Sequence, residues 1–149
     1  MLGMIKRLKV DHGYRSIQMA NIDPDVFFPW SFEERVKFLG APSIEALTKT
    51  LIMVNTCYLE DRSDDPYYLK YVVIINQFCR SINAQKVMKS VKKIQNDAYP
   101  NEPEKKIATK GFKFRLATPE EMAKLSGYMF NAVTPFFMAD ESLTILLDQ

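Results

Sequence analysis

The 149-residue sequence is poor in the residues that usually announce a catalytic or metal centre, with one histidine, two cysteines, five glycines and one tryptophan. The single histidine, His12, lies beside Gly13 near the start of the chain, so a Ser-His-Asp or Cys-His arrangement lacks a well-placed base. Cys57 and Cys79 occur without a CxxC pair or a Cys/His cluster, which argues against a disulfide framework and a zinc site. Both are expected to be reduced, buried thiols. Long apolar runs are missing as well: the longest, 51–54 and 71–75, fall far short of the roughly 20 residues needed to cross a bilayer. Residues 1–11 mix Lys6, Arg7 and Lys9 with single apolar residues and form no signal-peptide core. These absences predict a cytoplasmic protein with no membrane contact, no metal and no cofactor.

What is present is the composition of one folded domain, 47% apolar and 26% charged, with no internal repeat. A single domain spanning 1–149 is expected. The net charge of +2 is unevenly placed, because residues 80–115 hold ten Lys/Arg against three Asp/Glu. Such a segment can attract a polyanion such as RNA, or it can be the solvated face of a lysine-rich helix. On charge alone the second reading is the simpler.

Ser31 followed by Glu34 matches a capping box and predicts a short helix to Leu39, ended by Gly40 and Pro42. Residues 49–55 have an apolar centre between polar ends, the pattern of a central strand covered on both faces. After a polar turn at 61–66, the Val, Ile and Tyr content of 67–78 predicts a second strand beside the first. From Asn83, Ala84, Val87, Met88, Val91 and Gln95 share one helical face and Lys86, Lys89, Lys92 and Lys93 the other, predicting an amphipathic helix with a basic outer surface. Phe112, Phe114 and Leu116 alternate with Lys113 and Arg115 as in a half-buried strand. Thr118, Pro119 and Glu121 then give three start signals for a helix that turns Met122 and Leu125 inward and stops at Gly127. A loop follows over 128–135, and 143–147 reads as the last strand.

Two features of this plan carry a family resemblance. Thr48-Lys49-Thr50-Leu51-Ile52 resembles the Lys-Thr-Leu strand of YbaK/prolyl-tRNA-editing domains. Gly127-Tyr128 through Val133-Thr134-Pro135-Phe136 resembles that family's helix-exit loop, in which Thr-Gly-Tyr is followed by a Gly-Gly pair and a Ser/Thr-Pro. Arg115-Leu116-Ala117-Thr118 resembles the strand before that helix, and 143–148 falls where the family has a hydrophobic strand ending in Asp. Order and approximate spacing agree over 31–148.

The resemblance implies an α/β fold with a mixed, strongly curved, barrel-like sheet and flanking helices. It also implies a pocket between sheet and loop for the aminoacyl end of a tRNA. The implied reaction is hydrolysis of the ester joining a wrong amino acid to the terminal ribose, by water held in place while the carbonyl oxygen is stabilised. By the same resemblance Lys49 orients the phosphate or the reacting ester, with Thr50 beside it. Gly127, Asn131, Ala132, Val133, Thr134 and Pro135 form the loop whose N–H groups hold the aminoacyl carbonyl, and Asp148 contacts the ribose or amine. The implied partners are tRNA, attracted by Lys86, Lys89, Lys92 and Lys93, and an aminoacyl-tRNA synthetase.

The sequence departs from the family pattern in two places. Asn131-Ala132 replaces the glycine pair, as in a eukaryotic branch of the family, where positive φ is tolerated in part by Asn and poorly by Ala. The chain also stops after Asp148, where family members continue into a Gly-rich segment, a last strand and a helix. A shortened sheet with an open edge able to pair with a second copy is therefore expected. The alternative to a deacylase is a non-catalytic tRNA- or synthetase-associated module of the same fold.

Overall fold

The computed structural model describes residues 22–129 and 131–147, with Leu8, Val10, Gly13, Ile17 and Ala20 described singly before them. His12 lies outside the described residues. The chain divides into two compact units, Met1–Leu47 and Thr48–Gln149.

In the first unit, α1 (Pro24–Phe27) is capped by Asp23 and α2 (Phe32–Leu39) by Ser31. The Ser31 capping box is complete: the Glu34 N–H donates to Ser31 Oγ at 3.2 Å and the Ser31 N–H donates to Glu34 Oε2 at 2.7 Å. Gly40 ends the helix at φ 62°, a left-handed conformation that glycine adopts without steric cost. Arg35 is buried, donates to the Phe28 carbonyl at 2.6 Å, and lays its guanidinium 5.0 Å from the Phe27 ring centroid.

The second unit is a four-stranded sheet in the order β3-β1-β2-β4, formed by β1 (Thr48–Asn55), β2 (Tyr71–Gln77), β3 (Phe114–Leu116) and β4 (Thr144–Leu147). The β1 strand pairs antiparallel with β2 and β3, and β4 adds parallel to β2. One face packs on α3 (Ala84–Ala98), where Met53, Val72 and Ile74 meet Val87 and Val91. The other packs on α4 (Pro119–Ser126), where Ile52, Val54 and Val73 meet Met122 and Leu125. Ile52, Val72 and Val73 are fully buried, and each side chain contributes about 1.5–3 kcal/mol relative to its exposed state.

The sheet is open, not barrel-like. Among the described residues β3 pairs only with β1, over three residues, and β4 pairs only with β2, so no strand pairing joins the two edges. The β2 strand begins at Tyr71 and not at Tyr67, because the Asp65 carboxylate accepts the Tyr67 N–H at 2.9 Å and its carbonyl accepts the Tyr68 N–H at 3.1 Å, which holds this stretch in a turn. Similarly, β3 begins at Phe114, since a 3-10 turn at Thr109–Gly111 takes up the Phe112 N–H. Both cysteines are free, but the expectation that they are buried fails: Cys57 is half-buried and Cys79 exposed. Among the described residues no helix is long and apolar enough to cross a membrane.

The start of α4 is the best-specified boundary in the unit. Thr118 Oγ1 accepts the Glu121 N–H, Glu121 Oε2 accepts the Thr118 N–H at 2.8 Å, and Arg115 grips both Glu121 oxygens at 2.7 and 2.8 Å. The Arg115 guanidinium, followed by the Thr118 N–H, lowers the Glu121 carboxyl from 4.5 to about 2. Because the folded value lies below the unfolded one, the stabilisation is complete above pH 4.5 and is lost as the pH falls toward 2. Glu121→Gln is therefore expected to flatten the pH dependence of the urea midpoint across that window, and an unchanged profile would show that the pair contributes nothing.

Candidate functional site

Strand alternation and the pairing of Lys49 with Asn76 place these two residues on the α3 face of the sheet, in line with Met53 and Ile74. Thr50 points to the opposite face with Ile52. Lys49 is half-buried, and its Nζ donates to the Arg80 carbonyl at 3.3 Å and lies 5.9 Å from the Phe78 ring centroid. Asn76 Nδ2 donates to the same carbonyl at 2.9 Å. The turn after β2 thus offers one oxygen to two side chains. An ammonium has three donors, so two remain for a ligand.

Asn76 is 0% exposed, and its Oδ1 has no partner among the described residues. A buried acceptor left unpaired costs about 1–3 kcal/mol and marks a position kept for something other than stability. Sequence reading missed Asn76 because it follows an apolar run in a strand. The available signal was a carboxamide directly after Tyr71-Val72-Val73-Ile74-Ile75.

The second half of the predicted site is the loop leaving α4. Gly127 ends the helix at φ 74°, and the chain returns to the same helix end where the Ala139 N–H donates to the Ser126 carbonyl at 3.1 Å. Across the loop the Tyr128 hydroxyl donates to the Phe136 carbonyl at 2.7 Å. Asn131 takes a left-handed φ of 65°, and the Ala132 N–H donates to the Met129 carbonyl at 3.0 Å in a tight turn. Of the pair replacing two glycines, only Asn131 has a positive φ, and Asn tolerates that conformation better than most residues. Thr134 Oγ1 accepts the Phe136 N–H at 3.5 Å. Pro135 lies half-buried beside Thr134, and the N–H groups of Val133 and Thr134 meet no acceptor among the described residues. Asp148 lies outside the described residues.

Val133 packs on the α4-side core with Tyr71 and Leu143, so it shares a face with Thr50 and not with Lys49. The structure thus builds both predicted halves, and among the described residues no hydrogen bond joins Lys49 to the loop.

The four lysines of the helix also separate. Lys86 and Lys89 line a groove of about 390 Å³ floored by Ile74, Val87 and Leu146. Lys92 donates to Thr109 Oγ1, and Lys93 pairs with Asp97 one turn along. No group of three or more His, Cys, Asp or Glu that could hold a metal occurs among the described residues.

No protein-family model and no curated protein matches the chain. Among solved structures it is similar to a candidate trans-editing enzyme for prolyl tRNA synthetase, with a TM-score of 0.62 and 16% identity over 98% of this chain and 70% of that one. It is also similar to the hypothetical protein APE2540, with a TM-score of 0.50 and 17% identity over 79% of this chain and 57% of that one. At such identities the likeness is one of fold, and the mixed sheet with helices on both faces is the YbaK-like fold of that editing-enzyme structure.

Proposed function

We propose that the chain is a trans-acting deacylase that hydrolyses the ester of wrongly charged aminoacyl-tRNA. The observation that carries this reading is the Lys49 ammonium, half-buried on the strand that resembles the family's Lys-Thr-Leu strand and held by a carbonyl that buried Asn76 also holds. The fold of the editing-enzyme structure supports it.

In this reading Lys49 offsets negative charge on the terminal phosphate or on the carbonyl oxygen as water attacks. The acyl–oxygen bond breaks, the free amino acid leaves with the hydroxyl of water, and the ribose oxygen takes a proton. The unengaged N–H groups of Val133 and Thr134 hold the aminoacyl carbonyl. No protein nucleophile is needed for an ester this activated.

That Val133 packs on the face of the sheet opposite Lys49, with no hydrogen bond between Lys49 and the loop among the described residues, favours a second reading, a tRNA- or synthetase-associated module without turnover. A panel of mischarged tRNAs, including Cys-tRNA and Ala-tRNA bearing the proline anticodon, distinguishes the two. Selective release of one amino acid by the wild-type protein is the expected outcome. Salt-dependent tRNA binding with no release from any member would establish the module instead.

A further inference from the structure

We infer that a second groove, at the far end of β1 from Lys49, binds the backbone of an RNA strand. This goes beyond the ester-cleaving site but rests on RNA being the ligand. The groove, of about 460 Å³, opens between the segment after β1 and residues 106–111. Six residues of strand separate Lys49 from Asn55, so the groove lies about 20 Å from the Lys49 backbone.

Its wall and floor include Tyr58, Leu59 and Ile107, and its cations are Arg62, Lys106 and Lys110. Among the described residues no carboxylate lines it. Three other cations of the basic middle segment are paired, Lys93 with Asp97, Lys105 with Glu102 and Arg115 with Glu121, whereas Lys86 and Lys89 line the first groove. Among the acids near the groove in sequence, Asp61, Asp64 and Glu104 do not line it, and two others are engaged. Glu60 is held by Lys70, and Asp65 is enclosed by Gln95 and Tyr99. By contrast, Lys106 reaches only the Pro100 carbonyl, at 3.5 Å, and Lys110 meets no partner among the described residues. Folding thus brings two cations of the 80–115 segment, Lys106 and Lys110, to this groove and adds Arg62 from a different part of the chain.

The groove favours a nucleic-acid strand over an extended peptide. A peptide adding along the groove would need free backbone groups, and several of those here are used internally. Tyr68 Oη lies 2.9 Å from the Cys57 carbonyl and 2.8 Å from that of Gly111, Arg62 and Gln95 donate to Lys105, and the Gly111 N–H donates to Ala108. What remains unsatisfied is charge on three side chains, above an apolar floor. Phosphates suit the first and the face of a base suits the second. Gly111 packs closely beneath the floor, where a Cβ would lie 2.6 Å from Ile107 Cγ2 and 3.2 Å from Tyr68 Oη.

Cys57 lines the groove and provides a reporter. In a Cys79→Ser background, the modification rate of Cys57 by a thiol reagent is measured with and without an RNA hairpin carrying a single-stranded 3′ end. At ten times the dissociation constant, occupancy by RNA should slow modification about tenfold. In anisotropy titrations of the same hairpin, Lys106→Gln and Lys110→Gln should each weaken binding and lower the log–log salt slope by about 1. A Lys124→Gln variant, altered on α4 on the other face of the sheet, should keep the protection of Cys57. The inference is overturned if RNA fails to bind, if it binds without slowing Cys57 modification, if the Lys106 and Lys110 variants retain the wild-type slope, or if an acidic peptide protects Cys57 where RNA does not. Protection of Cys57 without ester cleavage would leave this groove standing and remove the deacylase reading.

Discussion

Lys49→Met should slow release of the amino acid from a mischarged tRNA by about 10²–10³-fold in kcat, the loss that follows removal of one preorganised charge-stabilising donor. Methionine keeps most of the stem that packs on the half-buried side of Lys49 while deleting the ammonium that donates to the Arg80 carbonyl at 3.3 Å. The lost hydrogen bond is partly exposed and Asn76 still engages the carbonyl, so the urea midpoint should stay close to wild type. Asn76→Leu tests the support behind Lys49. It removes the second donor to Arg80 together with the unpaired Oδ1, so kcat should fall by less than in Lys49→Met, with the KM for tRNA little changed. A Lys49→Met protein with wild-type kcat would remove Lys49 from the chemistry, whatever the fold.

The largest expected effect on stability comes from Gln95. It is 0% exposed on the inner face of α3, and its Nε2 donates to Asp65 Oδ2 at 3.0 Å and to the Lys105 carbonyl at 2.8 Å, while its Oε1 accepts the Ile107 N–H at 3.1 Å. One side chain thereby ties the helix to the turn before β2 and to the segment leading to β3. Gln95→Leu fills a similar volume but strands a carboxylate oxygen, a carbonyl and an N–H, and should cost about 3–5 kcal/mol in urea unfolding. Gln95→Glu separates shape from hydrogen bonding. At neutral pH its carboxylate faces Asp65, and its stability should recover in part as acid restores a donor between them. A Gln95→Leu midpoint equivalent to less than about 1 kcal/mol of loss would mean that the network is not holding these segments.

Gln95 also shows where sequence reading stops. Its position on the inward face of the helix was legible from the 3.6-residue period, but its partners were not, because Asp65 and Ile107 come from segments 30 and 12 residues away. The same distinction runs through the candidate site. The Lys49 strand and the capped helix before the loop could be read as elements. That Lys49 faces Asn76 follows from a register in which Thr48 pairs with Gln77, and this depends on which faces the two strands bury. Lys93 with Asp97 is a pair one turn apart on α3 and so open to sequence reading, whereas the contact of Lys92 with Thr109, 17 residues away, was not.

By itself, the sequence determined the features closed over three or four residues: the reciprocal caps of Ser31 with Glu34 and Thr118 with Glu121, the stops at Gly40 and Gly127, and the apolar face of α3. Their energetics are local, so the residues that decide them lie within one turn of each other. Only the tertiary structure decided that no strand pairing closes the sheet among the described residues, that Asn131 takes the left-handed conformation once expected of a glycine, that Lys49 and Val133 sit on opposite faces, and that Arg62 joins Lys106 and Lys110 at one groove. Each of these turns on contacts between residues far apart in the chain, whose outcome depends on the packing of the whole unit and not on any short stretch of it.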